Sequence, residues 1–194
     1  MVEKNVKQRN KMFEKYYASF KKDLYWYVRR RINNDEYAED ITADVFLKLF
    51  ENSEIMRKRD DNGIKAWLYT VARNRIIDEF RKKRNNMEVA GVHEDLFDFT
   101  PNNEESHVSK EIRDEKIALV KDLLTGFTEE EKELLNLRLY EEFSFNEIAQ
   151  VLEKSEGAVK MKYYRLLETV QEQLNYTEKQ KLDSKSKNLK EEKE

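Results

Sequence analysis

Residues 66–84 read AWLYTVARNRIIDEFRKKR and combine an apolar stripe with a run of basic side chains. At 3.6 residues per turn the apolar side chains share one face of a helix, which predicts that this face packs against a core. The apolar set is Leu68, Val71, Ala72, Ile76 and Phe80, and the basic set is Arg73, Arg75, Arg81, Lys82, Lys83 and Arg84. The basic side chains are therefore expected to face water or a partner.

Two interpretations of this basic set are open. The planar guanidinium group of arginine can donate two hydrogen bonds to one phosphate. Aromatic side chains such as Trp67 and Tyr69 can stack on unpaired bases. The segment therefore suits DNA with exposed bases. The alternative is a basic helix end that is simply solvated, and the segment alone does not decide between the two.

Composition indicates an all-α protein. The chain has 194 residues but only four glycines and one proline, so few turns are available. The alternating apolar pattern typical of strands is absent, while Leu, Ile, Lys, Glu and Arg dominate. We therefore expect two small helical domains joined by a flexible linker.

Several function classes are disfavoured by what the sequence lacks. It has no cysteine, hence no disulfide framework and no thiolate for zinc. It has no apolar run long enough to insert in a membrane, and its first residues lack the apolar core of a signal peptide. No Walker loop, Gly-x-Gly-x-x-Gly or nucleophile elbow occurs. We expect a cytoplasmic protein that is not an enzyme and needs no metal or other cofactor.

The net charge of −3 hides a strong asymmetry along the chain. Residues 1–86 contain 21 Lys and Arg against 14 Asp and Glu, whereas residues 87–109 contain six acids and no Lys or Arg. Phosphate affinity depends on local basic surface rather than on overall charge. A basic first half followed by an acidic joint therefore favours nucleic acid as a partner.

Breaks in the helical pattern divide the chain into a first domain (1–86), a linker (87–109), a second domain (110–175) and a charged tail (176–194) expected to be disordered. Asp35 is a candidate cap for the second helix, and Thr128 with Glu131 forms a capping-box signature. The predicted helices are 13–32, 35–50, 64–84, 110–124, 129–140, 145–152 and 156–174.

Residues 145–170 fit a helix-turn-helix. A short helix precedes a turn at 153–155, and Ser155 is a good N-cap for the helix that follows. On that second helix, Val159, Tyr163, Leu166 and Val170 share one face, which predicts that they pack inward. Lys160, Met161, Tyr164 and Arg165 share the opposite face, which suits the DNA major groove. An ordinary helical hairpin is the alternative.

Three stretches together resemble a sigma factor of bacterial RNA polymerase, of the small two-domain extracytoplasmic-function type. They are AEDITADVFLKLF (38–50), AWLYTVARNRIIDEFRKKR (66–84) and FNEIAQVLEKSEGAVKMKYYRLLETV (145–170). Their order and separation match the family as well. The resemblance implies a factor that binds core polymerase, directs it to specific promoters and helps to melt the −10 region.

The resemblance also implies roles for individual residues. The second helix, with Asp40, Asp44 and Lys48 on one face, corresponds to the part that binds the polymerase β′ clamp. The −10 element would be met by Trp67, Asn74 and Arg75 at the bases and by Arg73, Arg81, Lys82, Lys83 and Arg84 at the phosphates. Residues 57–63 would form part of a loop facing the non-template strand.

The second domain would lie on the β flap, with Lys160, Met161, Tyr164 and Arg165 at the −35 element. An anti-sigma factor is a possible further partner, since many relatives have one. The chain departs from the family at Ala43, Glu153 and Ala158, where glutamine, glycine and threonine are usual. The alternative function is a helix-turn-helix regulator that acts without core polymerase, and a phage- or plasmid-borne activator would share most of the mechanism.

Overall fold

The structure is a computed structural model, and it describes residues 2–32, 34–86 and 124–191. Within these residues the regular elements are all helices, as the sequence predicts. They are α1 (Val2–Ile32), α2 (Asp35–Glu51), α3 (Ser53–Lys58), α4 (Asp61–Asn86), α5 (Glu129–Leu139), α6 (Phe145–Leu152) and α7 (Glu156–Glu191). The linker 87–109 and nearly all of the predicted helix 110–124 lie outside the described residues.

Helices α1 to α4 form the first unit, in which α1, α2 and α4 pack on one another. Large apolar side chains from each of the three, such as Leu24, Phe46 and Leu68, are fully or almost fully buried at the centre. Aromatic rings close one end, where Phe13 of α1 meets Phe46 and Phe50 of α2 edge to face. Edge-to-face pairs add stability beyond the area they bury.

The connection between α2 and α4 is more helical than the sequence predicts. Residues 53–58 form α3, held by buried Met56, so the expected loop at 57–63 is reduced to a break at 59–60. Asp60 accepts a hydrogen bond from the Gly63 amide at 2.8 Å and so caps α4. The N-cap of α2 also differs from the prediction. Asn34 accepts the Tyr37 amide at 2.9 Å, whereas Asp35 stands inside the first turn and pairs with Arg29.

Helices α5, α6 and α7 form the second unit, and hydroxyl caps fix where they begin. Thr128 and Glu131 form the predicted capping box at α5, and Ser144 and Glu147 form a second one at α6. Ser155 accepts the Ala158 amide at 3.2 Å, which confirms it as the N-cap of α7. These caps satisfy amide groups that no earlier turn of the helix can reach.

Helix α7 is longer than expected, because it continues as helix through residues 176–191 of the predicted disordered tail. This stretch has no glycine or proline, and five of its residues are Lys, a good helix former. Helix propensity, which needs no packing partner, accounts for the continuation.

The two units pack directly against each other. Tyr27 of α1, Tyr69 of α4 and Phe143 before α6 form a chain of buried rings with centroid separations of 4.6 and 4.7 Å. Helix α4 packs on α6 over the same region. The described residues therefore share one continuous core that runs through both units.

Candidate nucleic-acid interface

The outer face of α7 is one of three exposed candidate surfaces. Val159 and Leu166 are buried beneath it, as the sequence predicts. On the opposite face Lys160 and Arg165 are exposed, and Met161 and Tyr164 are 58% and 57% exposed. The structure thus brings together the four residues predicted for the −35 element, on the second helix of a helix-turn-helix.

An aromatic cluster between α6 and α7 supports this face. Phe145 of α6 lies against Tyr163 and Tyr164 of α7, with ring centroids 5.4 and 6.2 Å away. Lys160 forms an ion pair with Glu156 one turn earlier at 2.6 Å. Both side chains of this pair are about half exposed, so the pair contributes little to stability. Lys160 can therefore leave Glu156 and contact a phosphate instead. The cluster fixes the orientation of α7 relative to α6.

The turn between α6 and α7 places Glu153 in the left-handed region, with φ 55° and ψ 43°. Residues with a Cβ pay about 1–2 kcal/mol there, which is why glycine is usual at such a position. The Glu153 and Lys154 amides still donate to carbonyls of the last turn of α6, and so close it. The departure from glycine therefore keeps the geometry of the turn and costs stability.

On α4 the predicted DNA residues occupy different environments. Asn74 is exposed, while Arg75 is half-buried and pairs with Asp44 of α2 at 3.5 Å and Glu79 at 2.9 Å. Arg81 and Lys82 are exposed and pair with carboxylates on their own helix. The side chains of Lys83 and Arg84 lie outside the described residues. Asn74, Arg81 and Lys82 are thus accessible as they stand, whereas Arg75 must leave two carboxylates to reach a base.

The two aromatic residues near the start of α4, Trp67 and Tyr69, lie in different environments. Trp67 is half-buried against the core. Tyr69 was expected on the side offered to a partner, but it is fully buried and donates a hydrogen bond to Glu141 at 2.8 Å. The expectation for Tyr69 was wrong because α4 is covered on two sides, by the first unit and by the loop before α6.

On α2, Asp40 and Lys48 are exposed and Asp44 is partly exposed, while Ile41 and Val45 beneath them are buried. The ion pair of Asp44 with Arg75 joins this face to α4. The predicted polymerase-binding face and the predicted −10 face are therefore neighbours. Ala43, where the family usually has glutamine, is exposed beside them.

Sequence reasoning missed a buried polar network between the units. Arg31 at the end of α1 pairs with Glu133 of α5 at 2.8 Å, and Tyr27 donates to the same carboxylate at 2.7 Å. Arg31 also lies over the Tyr27 ring, 3.6 Å from its centroid. The only sign of this network in the sequence is the run Arg29-Arg30-Arg31. Without the position of α5, this run indicates no more than a basic helix end.

A second cluster of the same network surrounds Glu141. Arg30 pairs with its carboxylate, Tyr69 donates to it, and the Lys65 ammonium donates to its backbone carbonyl at 3.3 Å. Burial raises the pKa of Glu141 above its usual 4.5 despite these neighbours. Burial likewise raises the pKa of Tyr69 and Tyr27 well above 10, so both phenols stay protonated at neutral pH.

Among the described residues, no group of three or more His, Asp or Glu side chains is placed to hold a metal ion. None of the described helices has the length and apolar character needed to cross a bilayer.

Comparison with known proteins identifies both units. The family described as Sigma-70 region 2 matches residues 16–86, and that described as Sigma-70, region 4 matches residues 118–170. The sigma factor BldN of Streptomyces coelicolor is 29% identical over 160 residues, which cover 81% of this chain and 58% of BldN. The sigma factor SigW of Bacillus subtilis is 26% identical over 190 residues, covering 90% of this chain and 97% of SigW.

A solved structure shares the fold. It is that of the sigma factor RpoE from Bartonella quintana, in complex with the anti-sigma factor NepR. The match covers 84% of this chain and 96% of RpoE, with a TM-score of 0.61 and 20% identity. Both family regions, in this order on an all-helical fold, agree with the extracytoplasmic-function factors found among the relatives. The chain belongs to the sigma factors of bacterial RNA polymerase, of the extracytoplasmic-function type.

Proposed function

We propose that this chain binds core RNA polymerase, directs it to promoters with a −10 and a −35 element, and helps to open the −10 region. The observation that carries the proposal is the exposed face of α7 on a helix-turn-helix, within the same chain as a region 2 unit.

Helix α7 is assigned to the −35 element. A helix with Lys160, Met161, Tyr164 and Arg165 exposed on one face can enter the major groove, where arginine and lysine pair with guanine edges. Met161 and Tyr164 are each more than half exposed on this face. Contact with thymine methyl groups covers such side chains, which supports DNA as the partner.

Helix α4 is assigned to the −10 element. Asn74 is exposed for hydrogen bonds to unstacked bases, and Arg81 and Lys82 are exposed for phosphates. We assign Trp67, Arg73, Arg75, Lys83 and Arg84 to the same surface. Opening draws on stacking worth about 1–3 kcal/mol per base and on phosphate contacts, so no ATP and no catalytic residue are assigned.

The exposed face of α2 is assigned to the β′ clamp of polymerase, and the second unit to the β flap. Asp40, Asp44 and Lys48 give this face both signs of charge, which suits a charged partner surface. Polymerase acts in the cytoplasm, which is the location we propose for this chain. An anti-sigma factor that covers the same faces would silence it.

The alternative is a regulator that binds its operator without polymerase, and a binding experiment separates the two. Purified chain is mixed with core polymerase and passed over a sizing column, and binding to duplex DNA is measured with and without core. A sigma factor co-migrates with core and gains promoter affinity from it. Tight operator binding by the chain alone, together with no co-migration, would overturn the proposal.

A further inference from the structure

A cavity of about 210 Å³ lies between the start of α1 and α3. Its lining combines apolar side chains with two arginines and two uncharged polar side chains. The apolar set is Val6, Met12 and Met56, and the polar set is Gln8, Arg9, Ser53 and Arg57. No described residue that lines the cavity carries a carboxylate. The cavity therefore offers positive charge and hydrogen-bond donors beside an apolar surface.

Arg9 contributes a guanidinium group that has a fixed position but no counter-ion. The side chain is half-buried, and its Cζ lies 4.3 Å from the centroid of the Phe50 ring. The Arg9 Nε is buried and has no hydrogen-bond acceptor among the described residues. A buried donor without an acceptor costs stability, so an acceptor that enters the cavity would be bound favourably.

Arg57 contributes the second guanidinium group. It is exposed, and its hydrogen bond to the Ser53 hydroxyl is long, at 3.5 Å. Glu54 is the single carboxylate of α3, and it pairs with Lys58 at 2.7 Å. Neither Arg57 nor Arg9 forms an ion pair with a carboxylate of the described residues. Two like charges thus border one cavity, and an anion between them would remove their repulsion.

The segments on both sides of the cavity add to this positive charge. Residues 2–12 contain four Lys and Arg against one Glu, and residues 53–59 contain three Lys and Arg against one Glu. A local surplus of one sign in a concave site raises the concentration of the opposite ion there. The cavity is therefore expected to attract anions.

A phosphate monoester matches this site better than a carboxylate does. A phosphate monoester carries a charge of about −1.5 to −2 at neutral pH, which balances two guanidinium groups. Its oxygens can accept hydrogen bonds from both arginines, whereas a single arginine already occupies both oxygens of a carboxylate. Met12 and Met56 offer a soft and adaptable surface to the organic part of the ester.

The cavity is remote from the surface assigned to the −10 element. Helices α1 and α4 run side by side in the same direction, with Lys15 paired to Asp61 at 2.7 Å. Arg9 precedes Lys15 on α1, and Asn74 follows Asp61 on α4. At 1.5 Å per residue, Arg9 and Asn74 are therefore about 28 Å apart along the helices. A ligand in the cavity does not share the base-contacting surface.

We propose that the cavity between α1 and α3 binds a small phosphate monoester, with Arg9 and Arg57 on the phosphate and Met12 and Met56 against the organic group. The site goes beyond the proposed function and uses none of the residues assigned to polymerase or promoter. It is measured on the free chain, so its failure would leave the proposed function standing.

The experiment uses the full chain with carbon-13 in the methionine methyl groups. It is titrated with phenyl phosphate at neutral pH and constant ionic strength, and methyl resonances are followed by NMR. Met12 and Met56 report on the cavity, while Met161 on the exposed face of α7 reports on anion binding elsewhere. Inorganic phosphate and a single-stranded DNA 15-mer of random sequence are titrated in parallel.

The variants are Arg9→Gln and Arg57→Gln, each of which removes one charged donor group from the cavity. Arg59→Gln makes the same charge change at an exposed position that does not line the cavity, and it serves as the control. Far-UV circular dichroism verifies that each variant remains helical. Because Arg57 is exposed, Arg57→Gln leaves the packing of the fold intact.

We expect saturable shifts of Met12 and Met56 in the parent and in Arg59→Gln, with no saturable shift of Met161. Affinity for phenyl phosphate should fall about tenfold in Arg9→Gln and in Arg57→Gln, since each loses a charge-assisted hydrogen bond. Phenyl phosphate should bind more tightly than inorganic phosphate, because its ring contacts the two methionines.

Three results would overturn the inference. The first is the absence of any saturable shift of Met12 and Met56 with phenyl phosphate. The second is an equal loss of affinity in Arg59→Gln, which would reduce the effect to net charge. The third is a response of the two methyl groups to the DNA 15-mer alone, which would assign Arg9 and Arg57 to the DNA backbone.

Discussion

Two single residues of the helix-turn-helix, one in the turn and one on α7, affect stability and DNA recognition separately. Glu153 keeps a left-handed backbone conformation that glycine adopts without strain, while Arg165 stands exposed on the recognition face two turns into α7. Neither residue belongs to the buried core, so substitutions at these positions test one property at a time. Each therefore gives a prediction with a single physical cause.

Glu153→Gly is expected to stabilise the protein by about 1 kcal/mol, because it removes the Cβ strain at φ 55°. Thermal and urea unfolding followed by circular dichroism measures the change. Gln150→Gly, at an exposed position inside α6, is the matched control and should destabilise by about 1 kcal/mol. A destabilised Glu153→Gly variant would show that the Glu153 side chain makes an interaction that stabilises the fold by more than the backbone strain costs.

Arg165→Ala is expected to weaken binding of the upstream element by about 1–3 kcal/mol and to relax preference at one base position. Holoenzyme is titrated against duplexes that carry every substitution of that element. Gln171→Ala, exposed further along the same helix, should leave affinity and preference unchanged. An equal loss on all duplexes would reassign Arg165 to the phosphates.

At the scale of elements, α2 and α4 are coupled by Arg75, which bridges Asp44 and Glu79. Asp44→Arg is expected to reduce core binding at least tenfold, while the lost ion pair costs the fold no more than about 1 kcal/mol. Glu39→Arg lies on another side of α2, toward Lys21, and should bind core normally. Titration of labelled core measures both. Normal binding by Asp44→Arg would exclude this face.

The basic end of α4 is expected to act through charge alone. Lys82→Ala and Lys83→Ala should each weaken DNA binding for all sequences and lower the slope of log affinity against log salt by about one. Binding of holoenzyme to several promoters over a salt series tests this. A loss confined to one promoter sequence would assign these lysines to base recognition instead.

The elements also show where sequence reasoning succeeds. Apolar spacing and hydroxyl caps predicted α5, α6 and the start of α7 closely, because both signals are local: Thr128 and Ser155 each act within three residues. The same spacing placed all four −35 candidates on one exposed face of α7. Helix α3 was missed because its six residues show too little periodicity, with one buried side chain, Met56.

At the scale of the whole molecule, the sequence predicted two units but not how they meet. Tyr69 was placed on the wrong surface because its partners, Glu141 and Phe143, are more than 70 positions away in the sequence. Similarly, the sequence alone predicts that Arg31 is a solvated basic residue, because its partner Glu133 lies in a distant part of the sequence. Contacts of this range depend on the docking of whole helices, which no local pattern encodes.

The contact between the units is expected to depend on pH through Glu141. Burial raises the pKa of Glu141 above its usual 4.5, so folding takes up protons, and the stability that this group contributes is present at low pH and lost as the pH rises through the raised pKa. Burial also keeps the Tyr27 and Tyr69 phenols protonated, since it raises the pKa of both well above 10. The free energy of unfolding, measured by urea titration at a series of pH values, should therefore fall as the pH rises through the raised pKa of Glu141, and Glu141→Gln should flatten the curve. An unchanged curve in that variant would assign the dependence to another group.

The central claim, that this chain directs polymerase to promoters, is tested most directly by mapping the 5′ ends of transcripts made on genomic DNA by core polymerase with and without the chain. The account predicts new start sites that share two upstream elements, and their loss when Arg165→Ala and Lys82→Ala are combined. Transcripts no different from those of core polymerase alone would contradict it.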